Sequence, residues 1–120
     1  RWITEDARRF VAREVRRGRR YDAILLDPPK FGRGPEGEVW DLTEHLPALL
    51  ADCTRLLDAD SRFLILTTYA IRLSAIALDG LLTPLVAHLP GLVQAGEMTI
   101  REECRGTLLP TAIFARWQTD

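Results

Sequence analysis

A chain of 120 residues has room for one small domain around a single core. Its 47% hydrophobic and 28% charged residues are ordinary for a globular protein. No apolar run approaches the roughly 20 residues that span a bilayer, so no membrane partner is expected and the expected location is cytoplasmic. The net charge of −1 hides an uneven spread, with seven arginines between Arg8 and Arg20. Residues 5–18 are predicted as a helix, with Ala7, Phe10, Val11 and Val15 on one face, arginines on the other, and Gly18 at its end. That arginine face reads either as an RNA footprint or as an ordinary solvated helix face. Tyr21 to Leu26 is a nearly continuous apolar run, which predicts a strand buried on both faces. Asp27-Pro28-Pro29 stops it, because proline cannot donate to a strand ladder and restricts the residue before it.

Gly32, Gly34, Pro35 and Gly37 predict a loop over 30–40, which either orders over a substrate or only connects. Trp40 reads as its buried anchor. Asp41 to Glu44 has the pattern of a capping box with aspartate as the cap. The helix after it carries Leu46, Leu49, Leu50, Cys53, Leu56 and Leu57 at helical spacing. Asp58-Ala59-Asp60 turns the chain into a second buried strand, Phe63 to Leu66, ending in Thr67 and Thr68. A helix is predicted over 72–88, with Ala75, Leu78, Leu82 and Leu85 inward, until Pro90-Gly91 breaks it. Imperfect alternation from Glu97 to Glu102, a turn at Arg105-Gly106 and a strand over 111–117 predict a closing hairpin.

The order helix, strand, helix, strand, helix, strand, strand implies an α/β fold: a parallel sheet wrapped by helices on both faces, with an antiparallel strand added near the edge. Ligands in such sheets sit beyond the carboxyl ends of the strands. Asp6, Asp27 and Thr67-Thr68 all fall on that rim, and Tyr69 follows directly. Two cysteines and two histidines are too few for a disulfide framework or a zinc-type cluster, so no metal is expected. Cys53 reads as a small core residue.

A carboxylate followed by two prolines at the end of a buried strand has a chemical use. The prolines stiffen the backbone so that the acid and one main-chain carbonyl address the same spot. A planar amine or ring nitrogen held there keeps its lone pair aimed outward, and a nearby aromatic can stack on a nucleobase. Tyr21-Asp22-Ala23-Ile24-Leu25-Leu26-Asp27-Pro28-Pro29-Lys30-Phe31 resembles the fourth motif of class I S-adenosylmethionine (SAM)-dependent methyltransferases. It is most similar to the bacterial ribosomal-RNA base methyltransferases that carry Asp-Pro-Pro-Lys-Phe, and Thr4-Glu5-Asp6-Ala7 is similar to their preceding motif.

The resemblance implies the C-terminal half of a Rossmann-like methyltransferase sheet, with residues 1–120 forming the C-terminal part of a catalytic domain. It implies SAM as cofactor. Asp27, Pro28, Pro29, Lys30 and Phe31 would be catalytic, and Glu5, Asp6, Ala7 and Asp27 would bind the cofactor. Lys30, Phe31, Thr68 and Tyr69 would meet a substrate, RNA and in particular ribosomal RNA. From the residues alone, Asp6 is a helix cap or an adenine contact, Phe31 a base platform or a packing residue, and Lys30 a substrate contact or a solvated loop lysine.

Two departures from the family are visible. The chain begins at Arg1-Trp2-Ile3, with neither a signal peptide nor the glycine-rich turn that would hold the methionine end of SAM, so a fragment of a longer protein is expected. Cytosine-C5 enzymes of the group carry a nucleophilic cysteine just after the next strand, where this chain has Leu66-Thr67-Thr68-Tyr69. A nitrogen target is favoured for that reason. The alternatives are methylation of a small molecule or protein on the same fold, and a non-catalytic interaction fragment.

Overall fold

The computed structural model describes residues 2–34 and 37–120; Arg1, Pro35 and Glu36 lie outside the described residues. Asp6 opens the first helix, α1 (Ala7–Arg16), by accepting the Arg9 backbone N–H on its carboxylate at 3.1 Å. Such a cap contributes about 1 kcal/mol. Gly18, at φ +64°, closes the helix with its N–H on the Val15 carbonyl at 3.0 Å. Glu14 is buried beneath it and accepts the Tyr21 hydroxyl at 2.9 Å. That bond, helped by Arg17, holds the Glu14 carboxyl below its usual range, while burial pushes the Tyr21 phenol up.

Strand β1 (Ala23–Leu26) runs parallel to a later strand, β4 (Phe63–Thr68), with Ala23 opposite Phe63 and Leu26 opposite Leu66. Between them the expected loop over 30–40 is instead a small hairpin, β2 (Phe31–Arg33) and β3 (Val39–Asp41), with Gly32 opposite Trp40. Gly32 lies within β2 and the other two glycines serve the tip: the Gly34 N–H meets the Glu38 carbonyl at 2.8 Å and Gly37 adopts φ +86°. Helix α2 (Leu42–Thr54) is capped by Asp41, which accepts from the Thr43 and Glu44 N–H groups. The box is closed by His45 rather than Glu44, since His45 Nδ1 accepts the Asp41 N–H at 3.0 Å.

Helix α3 (Ala75–Val86) leads to β5 (Leu92–Arg101) and β6 (Leu108–Gln118), a hairpin longer than the expected one. The sheet order is β1-β4-β6-β5, with β6 antiparallel to both neighbours, so the sheet is mixed. Alternation along β4 buries Leu64, Leu66 and Thr68 on one face, beside Trp117 and Ala115 of β6. Leu50, Cys53, Leu78 and Leu82 pack into the same core, which places α2 and α3 over that face, and α1 packs on α2.

The expected cover on both faces is therefore not found among the described residues. Leu25, on the opposite face of β1, is 74% exposed, so β1 is not the doubly buried strand its apolar run implied. A hydrophobic run alone cannot tell which of its faces the neighbouring helices will cover. The rim survives this correction. The parallel ends of β1 and β4 lie side by side and deliver Asp27, Thr67 and Thr68 to the same edge of the sheet.

Candidate active site

Asp27 follows Leu25 by two residues and Thr67 follows Ile65 by two, and Leu25 and Ile65 are register partners. Strand alternation thus sends Asp27 and Thr67 to the same side. The Thr67 hydroxyl donates to Asp27 Oδ1 at 2.5 Å. On the other flank, Trp40 Nε1 donates to the Pro29 carbonyl at 2.6 Å. The Trp40 ring stacks on His45 with centroids 5.6 Å apart, and the Arg8 guanidinium lies 5.8 Å from its centroid. Pro28 is buried between exposed Asp27 and Pro29. The corner is rigid by composition and braced from two directions, by β4 and by the β2–β3 hairpin.

In front of the corner lies a cleft of about 350 Å³, within the range usual for small-molecule sites. Asp6 and Ala7 from the start of α1 share it with Asp27, Pro28 and Pro29. Its apolar wall is Leu26, Leu49 and Trp40; Arg8, Arg33 and Glu38 supply further charge. Arg8 Nε approaches Asp6 Oδ1 at 3.8 Å, and Arg9 Nη2 holds Glu38 Oε1 at 3.2 Å. A planar ring carrying N–H donors fits such a site: flat apolar and aromatic surface on its sides, carboxylates at its edge.

Several expected site residues stand elsewhere. Glu5 is taken by Arg13, with Nη1 to Oε1 at 2.6 Å, and borders a groove along α1; that bond raises the Arg13 pKa. Lys30 and Phe31 diverge from the corner once the chain enters β2. Lys30 lines a separate cleft with Asp41 and Arg72, and Phe31 is 54% exposed with the Arg33 guanidinium 6.0 Å from its ring. Thr68 is fully buried on the helix-covered face, and with exposed Tyr69 it lines a further cavity. Trp40, expected only as a loop anchor, is both anchor and cleft wall.

Neither cysteine lines the cleft. Burial pushes the Cys53 thiol up to about 12, so it carries no thiolate at neutral pH, and Cys104 is exposed in the turn between β5 and β6. Among the described residues, no group of three histidine, cysteine or acidic side chains is placed to hold a metal ion. No described helix is long and apolar enough to cross a membrane.

No protein-family model matches the chain, and no curated protein does. Solved structures match it along almost its whole length. A SAM-dependent methyltransferase from Agrobacterium tumefaciens superposes with a TM-score of 0.93 and 44% identity, covering 100% of this chain and 40% of that one. SMU.776, described as a methyltransferase candidate and solved with SAH, gives a TM-score of 0.64 at 16% identity over 96% of this chain and 30% of its own. The M1.HpyAVI–SAM complex gives 0.51 at 11% identity over 98% and 55%. The chain has the α/β fold of part of these proteins and spans less than half the length of the first two.

Proposed function

We propose that this chain is the C-terminal part of a SAM-dependent methyltransferase whose acceptor is a base nitrogen of a nucleic acid, with structured RNA favoured over DNA. The observation that carries the reading is the braced Asp27 corner, which shares one cleft with Asp6 and Ala7. Identity of 44% across the full chain to the Agrobacterium methyltransferase supports the same chemistry. The bound cofactor would supply an electrophilic methyl group on a sulfonium.

Thr67 occupies one oxygen of Asp27, leaving Oδ2 for an N–H of the acceptor. Trp40 fixes the Pro29 carbonyl, and a main-chain carbonyl of the Pro28-Pro29 corner would be the second acceptor. A planar amine held by both keeps its lone pair directed away from them, toward the incoming methyl. Alignment of this kind supplies most of the rate in a displacement that needs little acid–base assistance. Asp27 Oδ2 would also be the group that takes the proton shed by the methylated nitrogen. Asp6 and Ala7, against the wall of Leu26, Leu49 and Trp40, suit the cofactor's adenine.

The reading is tested by calorimetric titration of the full-length protein with SAM, followed by transfer of tritiated methyl to unmodified ribosomal-RNA transcripts and to DNA of the same sequence. Saturable binding with label in the RNA is expected. No SAM binding would overturn the reading, and label in DNA alone would overturn the choice of RNA.

A further inference from the structure

Thr67 and Thr68 are neighbours that face opposite sides of β4, and only Thr67 has a partner. Thr68 is 0% exposed, and its Oγ1 makes no hydrogen bond with any described residue. Buried hydroxyls are nearly always paired, and each exception calls for an explanation. Here the residue stands at a strand end on the ligand rim and borders a cavity of about 190 Å³, with its hydroxyl just beneath the wall. The other threonine hydroxyl on the cavity wall, that of Thr111, is already spent on the Met98 carbonyl at 3.0 Å. Glu97, two strands away in the same row across Ile113, also lines it and makes no ion pair with any described residue. Ala70 closes the wall at φ +54°, a left-handed conformation unusual for a residue with a side chain. Strain of this kind persists where the surroundings hold it and gathers at ligand clamps.

The chemistry of the cavity limits its occupant. A carboxylate only accepts hydrogen bonds, whereas a free hydroxyl donates or accepts. The ligand therefore presents an N–H donor to Glu97 and either kind of group to Thr68. Tyr69 is 52% exposed at the mouth, a ring surface open to stacking, and Pro110 forms an apolar flank. The volume is below the roughly 300–1,000 Å³ of a site for a whole cofactor or drug-sized ligand, but suits the edge of one planar ring.

We propose that this second cavity binds a nucleobase of the methyl-accepting nucleic acid, reading its N–H-bearing edge with Glu97 and the Thr68 hydroxyl while the ring stacks on Tyr69. The inference rests on the nucleic-acid reading above and adds to it a recognition pocket distinct from the Asp27 cleft. The two share β4, Thr67 serving one and Thr68 the other.

The test uses the full-length protein with its isoleucine methyls labelled, titrated separately with adenosine, cytidine and guanosine. Ile71 and Ile113, which line the cavity, should shift with at least one nucleoside, while Ile24 and Ile65 in the sheet stay still. Thr68→Val keeps the shape and removes the bare hydroxyl, so the melting temperature should hold or rise while affinity falls roughly fivefold, the worth of one hydrogen bond. Glu97→Gln should weaken binding as well. Absence of shifts at Ile71 and Ile113 with all three nucleosides would overturn the proposal. So would a Thr68→Val protein that is less stable yet binds as before, which would make the hydroxyl purely structural. Asp27→Ala separates the two ideas: retained shifts with unimpaired methyl transfer would strike the Asp27 mechanism and leave the pocket standing.

Discussion

The brace on Asp27 makes the sharpest mutational prediction. Thr67→Val preserves the β-branched shape on β4 and deletes the hydroxyl that donates to Asp27 Oδ1 at 2.5 Å. A hydrogen bond to a charged acceptor is worth about 1.5–3 kcal/mol. Asp27 is exposed, so water replaces part of the loss and the lower figure applies. Since about 1.4 kcal/mol is a factor of ten in rate, kcat should fall about tenfold. A freed carboxylate that drifts by about 1 Å would extend the loss toward a hundredfold. The assay is steady-state methyl transfer by the full-length protein on a ribosomal-RNA transcript, with kcat and the KM for SAM determined separately. The expected signature is a lower kcat, a KM for SAM within about twofold, a melting temperature lowered by no more than a few degrees, and recovery of both in Thr67→Ser. Normal turnover in Thr67→Val, or a Thr67→Ser protein as impaired as Thr67→Val, would refute the reasoning.

Trp40→Phe keeps an aromatic wall but removes the Nε1 donor to the Pro29 carbonyl. It should lower stability by about 1 kcal/mol and reduce kcat, as read by denaturant unfolding beside turnover. Cys53→Ala and Cys104→Ala should retain turnover, because one thiol is pushed up to about 12 and neither lines the cleft; a cysteine-linked RNA adduct in the parent protein would contradict this. Acid should destabilise the fold through Glu14 and Asp41, whose carboxyls are held below their ordinary values of 4.5 and 3.8, Glu14 by the Tyr21 hydroxyl and Asp41 by the Thr43 hydroxyl. A lowered folded-state pKa stabilises fully above the unfolded value, and that contribution is lost as pH falls through the folded one. Chemical unfolding followed below pH 5 should therefore show falling stability, with a shallower fall in Glu14→Gln.

Much of the architecture is written in hydrophobic periodicity. The spacing of Leu46, Leu49, Leu50 and Cys53 belongs to a buried helix face, and the Pro28-Pro29 stop marks the end of β1. The β2–β3 hairpin was illegible because its strands have three residues each, too few for a period, and its glycines read as loop. Which faces of the sheet are covered was equally hidden, since Leu25 and Leu26 look alike in sequence but one is exposed and the other meets the core.

Within the site, Asp6, Ala7 and Asp27 reach the cleft because strand and helix ends point there whatever the side chains. Lys30 and Phe31 do not, because the direction of the chain after a Pro-Pro corner has no sequence code. Glu5 was claimed by Arg13, a contact that only the folded helix creates. The choice between Thr67 and Thr68 needed the β1–β4 register, after which alternation alone assigns Thr67 to Asp27.

Removal of the Asp27 carboxylate bears most directly on the mechanism. Methyl transfer from labelled SAM to a ribosomal-RNA transcript should disappear in the full-length Asp27→Ala protein, while its SAH affinity and unfolding curve stay close to those of the parent. Turnover near the parent level in that variant would mean that the acceptor is held elsewhere.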